Sequence, residues 1–244
     1  RGVATITLNR PDKANSYDYA MLEALGDNVA RYGADPKVRA IVVRGAGKHF
    51  SAGADVAAGA EPPEGSGKRG LSETCELINT VAKPTVALVQ GACVGGGMGL
   101  ACCFDILIAD RSAFFSVPEV RLGFTPGTLS LHFARAMGVR AFRRYGMTGQ
   151  RFDANEALRI GVVHELVDAG GLDAALARQL EEILLAAPNA MLGAKRIAAW
   201  LGGEVAKSTL ERIDAEFAQA RESAEASEGK ASFKEKRKPS WYAK

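Results

Sequence analysis

The sequence of 244 residues contains only four cysteines and three histidines. No two cysteines are separated by two residues, and the histidines lack the close spacing of metal ligands, so no metal site is expected. Three of the four cysteines (Cys93, Cys102 and Cys103, but not Cys75) lie in apolar stretches, where reduced core residues are common. A reducing, cytoplasmic compartment is therefore predicted.

Long apolar runs and a strong net charge are also missing. The most apolar window, residues 91–109, contains Asp105 and several glycines, so no membrane-spanning helix is expected. A strand pattern begins almost at the first residue, so no signal peptide is expected either. The formal net charge of +3 is too small to predict a nucleic-acid partner. The composition is that of an ordinary globular protein.

The first half of the chain alternates between strand patterns, turns and helix patterns. Val3–Leu8 alternates as a strand does, and a helix is predicted from Asp18, as its N-cap, to about Tyr32. Runs rich in β-branched and other apolar residues predict buried strands at residues 38–43, 85–90 and 106–109. A helix of small residues is predicted from Gly96 to about Cys103. This recurrence predicts an α/β fold built from repeated units.

The second half has a different pattern and is predicted to be almost wholly helical from Thr128 onward. Apolar residues spaced three and four apart form two stripes, at Leu172, Leu176, Leu180, Ile183, Leu184 and Ala187, and at Leu210, Ile213, Phe217 and Ala220. Packing within the chain is the preferred interpretation of both stripes. Packing against a neighbouring subunit is the alternative.

Two glycine-rich turns each follow a predicted strand: Ser51-Ala52-Gly53-Ala54-Asp55 and Gly95-Gly96-Gly97. Glycine lets the main chain approach a ligand and present N–H groups to it. Two such turns can aim two donors at one oxygen, which stabilises an enolate or oxyanion. Glu119 follows the second turn and would move protons beside that oxygen. The alternatives are tight helix–strand packing for the glycines and, for Glu119, a salt bridge with Arg121 or another basic residue.

Several motifs combine these features. They include Ile6-Thr7-Leu8-Asn9-Arg10-Pro11, Phe50-Ser51-Ala52-Gly53-Ala54-Asp55, Gln90-Gly91-Ala92 with Gly95-Gly96-Gly97, and Pro118-Glu119-Val120-Arg121-Leu122-Gly123. With further motifs near the C-terminal end, they resemble the crotonase superfamily, also called the enoyl-CoA hydratase/isomerase family, over essentially the whole chain. The resemblance implies a crotonase-type spiral of ββα units in residues 1–190 and a helical trimerisation region in residues 191–244. It also implies a coenzyme A thioester substrate, no other cofactor, and homotrimers or dimers of trimers.

The resemblance also implies roles for individual residues. The N–H groups of Ala54 and Gly96 would hold the thioester oxygen, and Gly96 would do so at a helix N-terminus, which favours negative charge. Glu119 would be the catalytic acid/base. Contacts to the coenzyme are implied for the backbone around Ala52, Asp55 and Val56, for Phe233 and Lys236, often from a neighbouring subunit, and more weakly for Lys13.

One position departs from the family's pattern. Hydratases typically carry two glutamates, and the position of the first is Gly99 here, which has no side chain to hold or activate water. Hydration would then use Glu119 alone, or with Glu61, Glu64 or Glu73 as its partner. A further resemblance, to bacterial members grouped with methylglutaconyl-CoA hydratases, favours hydration. Double-bond isomerisation, another enolate chemistry and a non-catalytic acyl-CoA binding protein stay open as alternatives.

Overall fold

The computed structural model describes residues 2–57, 69–201 and 207–240, and its strands form two sheets. The larger sheet is wholly parallel and contains, in spatial order, β1 (Val3–Leu8), β2 (Ala40–Gly45), β3 (Thr85–Val89), β5 (Ile106–Asp110) and β8 (Glu165–Val167). The smaller sheet contains β4 (Ala92–Val94), β6 (Phe114–Ser116) and β7 (Phe152–Asp153), with β7 antiparallel to β6.

Helices connect and cover the sheets. They are α1 (Tyr19–Ala34), α2 (Leu71–Thr80), α3 (Gly96–Ala101), α4 (Leu129–Thr148), α5 (Ala154–Arg159), α6 (Leu172–Leu185), α7 (Pro188–Leu201), α8 (Lys207–Arg221) and α9 (Ala224–Lys234). Short 3-10 helices lie at Pro11–Lys13 and Glu119–Leu122. Within the described part of the chain, none of the helices is both long and apolar enough to cross a membrane.

Local sequence signals position the first elements as predicted. The strand at Val3–Leu8 has the predicted bounds, and Asp18 caps α1 by accepting a hydrogen bond from the Met21 N–H at 2.9 Å. Strands β2, β3 and β5 occur where buried strands were predicted, with ends shifted by one or two residues. The alternation of parallel strands and helices confirms the predicted α/β class.

Both faces of the larger sheet are buried, which explains the continuous apolar runs in its strands. Ile41 and Val43 of β2 face the core that contains α1, α2 and α3. Val42 faces the opposite side and packs with Leu172 and Ile183 of α6. Four residues of the first apolar stripe (Leu172, Leu176, Leu180 and Ile183) pack within the chain, as predicted, whereas Leu184 and Ala187 are exposed. The second stripe, on α8, is only half-buried.

One prediction about the secondary structure was wrong. The second half is not almost wholly helical, because β7 and β8 each complete the edge of a sheet. Strand β8 has only three residues, all half-buried, and this is too short for a periodic pattern. Helix α3 begins at Gly96 as predicted and ends at Ala101, two residues before the predicted end near Cys103, since the Cys103 N–H bonds to the Leu100 carbonyl in a tighter turn. The division at residue 190 falls inside α7 and stays a prediction.

Candidate functional site

The two glycine-rich turns lie side by side at the same end of two parallel segments. Ser51 pairs with Cys93 as an isolated parallel bridge, with hydrogen bonds from the Ser51 N–H to the Ala92 carbonyl (2.9 Å) and from the Val94 N–H to the Ser51 carbonyl (3.0 Å). Both chains then turn through glycines with positive φ, Gly53 at 93° and Gly95 at 55°. Side chains are strained in that region, and a Cβ on Gly53 would also lie 2.9 Å from the Val94 carbonyl oxygen.

The Gly96 nitrogen lies where the two turns meet. It is 3.7 Å from the position that a Cβ on Gly53 would occupy. Standard backbone dimensions then place the Ala54 and Gly96 nitrogens no more than about 7 Å apart. Neither N–H group donates a hydrogen bond to another group of the described chain. The structure thus brings the two predicted donors together with both hydrogens unused.

Glu119 lies against the second turn, at the first position of its 3-10 helix. A Cβ on Gly95 would lie 3.2 Å from the Glu119 Oε1 atom. The residue is 9% exposed, and its Oε2 atom is buried without a hydrogen-bond partner among the described residues. Burial raises the pKa of this carboxyl to about 7, and a hydrogen bond from its own backbone N–H opposes the rise only in part. The carboxyl is therefore suited to gain and lose a proton near neutral pH.

Arg121 does not neutralise this carboxyl. Its Nε atom donates to the Thr148 carbonyl at 3.0 Å, and Glu119 forms no ion pair with any residue that the structure describes. The alternative in which Glu119 forms a salt bridge with Arg121 or another basic residue is therefore wrong for the residues that the structure describes. An ionisable group left buried and unpartnered is costly, and such groups are typical of functional sites.

The space beside Gly99 is filled by an apolar side chain. A Cβ on Gly99 would lie 2.8 Å from Cδ1 and 2.9 Å from Cδ2 of Leu129, the first residue of α4. Leu129 is itself buried. A second carboxylate therefore has no room at position 99. The Leu129 side chain occupies the space in which hydratases of the family carry the first glutamate.

The structure shows none of the three candidate glutamates (Glu61, Glu64 and Glu73) as a second catalytic carboxylate beside Glu119. Glu73 uses Oε2 to accept a hydrogen bond from the Gly70 N–H at 3.0 Å and so caps the start of α2. Glu61 and Glu64 lie outside the described residues. Glu119 is therefore the only glutamate that the described chain places against the glycine turns.

The predicted coenzyme contacts fall into two groups. Near the first turn, the Ala52 N–H bonds to the Ala14 carbonyl at 3.0 Å, which brings the exposed Lys13 close to the turn, while Val56 is 69% exposed. The Asp55 side chain is engaged otherwise, because its Oδ2 atom lies 2.8 Å from Nη2 of Arg10. The resemblance implies a contact to the backbone of Asp55 rather than to its side chain, and this contact stays a prediction.

The second group lies on the C-terminal segment. Phe233, near the end of α9, is 67% exposed, and Lys236 is exposed two residues beyond that helix. No hydrogen bond or ion pair connects either residue to the glycine turns in the part of the chain described. Helix α9 packs instead on the 3-10 helix of Glu119, where a Cβ on Gly229 would lie 2.5 Å from the Leu122 carbonyl. The role of both residues stays a prediction.

Sequence reasoning missed Tyr17 and Leu129. A Cβ on Gly96 would lie 1.7 Å from the Tyr17 hydroxyl oxygen and 3.0 Å from Cδ2 of Leu71. Tyr17 and Leu129 both approach the second turn from segments distant in sequence, so no local pattern could reveal either contact. Within residues 2–57, 69–201 and 207–240, no group of three or more His, Cys, Asp or Glu side chains could hold a metal ion.

Known proteins resemble this chain along its whole length. The model of the enoyl-CoA hydratase/isomerase family matches residues 1–244. The carnitinyl-CoA dehydratase of Salmonella typhimurium is 32% identical over 248 residues, which cover 98% of this chain and 94% of that protein.

Solved structures give the same result. An enoyl-CoA hydratase/isomerase from Pseudoalteromonas atlantica superimposes with a TM-score of 0.89 at 29% identity, covering 98% of this chain and 96% of that one. A carnitinyl-CoA hydratase from Mycobacterium avium superimposes with a TM-score of 0.84 at 34% identity, covering 100% of this chain and 97% of that one. These similarities confirm the crotonase-type fold.

Proposed function

The chain belongs to the enoyl-CoA hydratase/isomerase family, and from this premise we propose that it adds water to the double bond of a 2-enoyl-CoA thioester. The observation that carries the proposal is the position of Glu119. It is a buried carboxyl without an ion-pair partner in the described chain. It lies against the turns that contain Ala54 and Gly96, whose N–H groups donate to no other group of the described chain. Relatives named carnitinyl-CoA dehydratase and enoyl-CoA hydratase/isomerase support the same chemistry.

The proposed reaction uses one carboxylate. The N–H groups of Ala54 and Gly96 hold the thioester oxygen, so that charge arriving there as the enolate forms is stabilised. Ionised Glu119 takes a proton from water while the water oxygen bonds to C3 of the substrate. The C2–C3 double-bond electrons move to the thioester oxygen. Glu119 then returns the proton to C2, which restores the carbonyl and the free carboxylate.

Single-carboxylate chemistry follows from the packing beside Gly99. Leu129 occupies the space where a second acid could lie, so one group both activates the water and protonates C2. The apolar wall formed by Leu129 and Leu71 also keeps the reacting carbons away from bulk water. Only protons and water move in this scheme. We therefore propose no cofactor besides the coenzyme A carried by the substrate.

We propose that the coenzyme lies along the first turn. The backbone around Ala52, Asp55 and Val56 would contact its adenine, and Lys13 would lie close enough to neutralise a phosphate. Phe233 and Lys236 would complete this end from a neighbouring subunit. We accordingly propose a homotrimer or a dimer of trimers.

Exposed apolar side chains support the proposed assembly. Leu185, Ile197 and Trp200 on α6 and α7 are 76%, 51% and 68% exposed in the single chain, and a neighbouring subunit would cover them. Sedimentation velocity at several protein concentrations tests the assembly. A monomer at all concentrations would contradict it, and it would also remove the proposed source of Phe233 and Lys236.

The proposed reaction is tested with crotonyl-CoA by following the loss of the conjugated thioester absorbance. We expect hydration by the unaltered protein and a decrease in kcat of about 100- to 10,000-fold in Glu119→Gln, since a positioned acid/base contributes about that much. Glu181→Gln, on the exposed face of α6, is the matched control and should keep full activity. Full activity in Glu119→Gln would exclude Glu119 as the proton carrier.

A second candidate, double-bond isomerisation, is favoured by the same packing. An isomerase needs only one base to move a proton between C2 and C4, and Leu129 leaves the site with one carboxylate. The 3-enoyl-CoA isomer of the substrate separates the two reactions. Formation of the 2-enoyl product from it, without hydration of crotonyl-CoA, would establish isomerase activity instead. Binding without either product would indicate a non-catalytic acyl-CoA protein.

A further inference from the structure

Tyr17 contacts both proposed donors of the thioester-oxygen site, first through its backbone. Its N–H donates to the Gly53 carbonyl at 2.9 Å, and its carbonyl accepts from the Asp55 N–H at 2.8 Å. These two bonds lie on either side of Ala54, which pairs with Tyr17 in an isolated parallel bridge. The Tyr17 backbone therefore fixes the orientation of the Ala54 peptide, whose N–H donates to no other group in the described ranges.

The side chain of Tyr17 reaches the other donor. Its hydroxyl oxygen lies 1.7 Å from the position of a Cβ on Gly96, and its Cζ atom lies 2.8 Å from that position. Standard backbone dimensions then place this oxygen no more than about 4 Å from the Gly96 nitrogen. In a helix, the Cα–Cβ direction leans toward the N-terminus, as the N–H does. The hydroxyl therefore lies beside the Gly96 donor, within reach of an oxygen atom that this N–H would bind.

We infer that Tyr17 is a further catalytic residue, whose hydroxyl donates a third hydrogen bond to the thioester oxygen. This inference rests on the proposed function, because it places that oxygen at Ala54 and Gly96. The hydroxyl keeps its proton throughout. It strengthens its hydrogen bond as negative charge collects on the oxygen during enolate formation, and the bond weakens again when C2 is protonated.

The rest of the site explains the need for a third donor. A site with two carboxylates can divide the activation of water and the protonation of C2 between them. Here Leu129 fills the space beside Gly99, and Glu119 must do both. The enolate then persists until the same carboxyl returns its proton, so its charge requires stronger stabilisation. Glu119 borders the turn at Gly95 and Tyr17 borders it at Gly96, so the two side chains do not compete for one position.

Tyr17→Phe removes only the hydroxyl oxygen and keeps the ring in the core, where Tyr17 is buried. The matched control is Tyr145→Phe. It removes the hydroxyl of another buried tyrosine, which donates to Glu156 Oε1 at 2.7 Å rather than lying beside Gly96. Melting temperatures of both variants establish that they fold.

Two rates are measured with each protein: hydration of crotonyl-CoA, and exchange of the C2 protons of butyryl-CoA with D₂O, followed by NMR. Exchange requires enolate formation but neither a double bond nor added water. We expect Tyr17→Phe to lower kcat for hydration and the exchange rate together, by about 10- to 1000-fold. The dissociation constant for butyryl-CoA should change less than about twofold, because binding rests mainly on the coenzyme. Tyr145→Phe should change neither rate.

Two results would overturn the inference. In the first, the hydration rate and the exchange rate of Tyr17→Phe both stay within about twofold of those of the unaltered protein. The other is a loss of rate matched by an equal loss of butyryl-CoA affinity, which would show that Tyr17 only shapes the pocket. If the unaltered protein exchanges C2 protons but hydrates nothing, the proposed hydration is wrong. The exchange rates of the variants still decide the role of Tyr17 in that case.

Discussion

Burial of Glu119 makes the stability of this protein depend on pH, and Glu119→Gln should remove that dependence. The carboxyl has its pKa raised from the ordinary 4.5 to about 7, chiefly because burial disfavours its charged form. Since the unfolded chain loses this proton more easily than the folded chain does, folding is opposed as the pH rises. The contribution that protonated Glu119 makes to the free energy of unfolding is fully present below about pH 4.5. It is lost progressively as the pH rises to about 7 and above.

The size of the effect follows from that pKa difference. One pKa unit corresponds to about 1.4 kcal/mol, so the buried charge lowers the free energy of unfolding by about 3 kcal/mol at high pH. Of this, about 2.5 kcal/mol is lost between pH 5 and pH 8. A glutamine at the same place has its own burial cost, but that cost does not change with pH. Comparing the variant with the unaltered protein at two pH values therefore isolates the charge.

Urea unfolding at pH 5 and at pH 8 measures this difference. Glu119→Gln should gain about 2.5 kcal/mol relative to the unaltered protein between the two conditions. Glu181→Gln, at a solvent-exposed site on α6, provides the control and should gain almost nothing. If the two variants respond equally to pH, the Glu119 carboxyl is hydrated in the folded protein, and the argument from its burial fails.

Three other perturbations follow from the same contacts. For hydration, kcat/KM should rise about tenfold per pH unit below pH 7 and level off above it, because Glu119 must be ionised to accept a proton. A pH profile of kcat/KM that is flat from pH 5 to 8 would contradict this role. Gly99→Ala should lower the free energy of unfolding by about 1 to 3 kcal/mol through overpacking. Adding Leu129→Ala should cost less than the sum of both single changes in a double-mutant cycle, whereas strict additivity would argue against their contact. Asp55→Ala should lower the free energy of unfolding, measured with urea, by about 1 to 3 kcal/mol, since it leaves Arg10 without its closest carboxylate. An unchanged free energy of unfolding would show that this ion pair is dispensable.

Elements with a local cause were predictable from the sequence. Asp18 begins a helix because its side chain caps the first turn, and the buried runs of β2, β3 and β5 show that both faces of the sheet are covered. Glycines before and within α3 reflect the close approach of the two turns. Each of these signals lies within a few residues of the feature that it predicts.

Contacts between distant segments were not predictable in this way. Leu129 fills the space beside Gly99, and Tyr17 covers Gly96, only because the fold brings α4 and the segment before α1 to the second turn. The ion pair of Asp55 was unpredictable for the same reason, since its partner Arg10 lies 45 residues away in the sequence. A motif shows which residue types are present, but it does not show which of them are already engaged.

The position of the bound thioester oxygen tests the account most directly. A crystal structure of the protein with butyryl-CoA, which cannot be hydrated, would reveal it. The account predicts this oxygen at about 2.7 to 3.1 Å from the nitrogens of both Ala54 and Gly96. It also predicts that C2 faces Glu119. A thioester oxygen bound away from either nitrogen, or a C2 atom directed away from Glu119, would contradict the account.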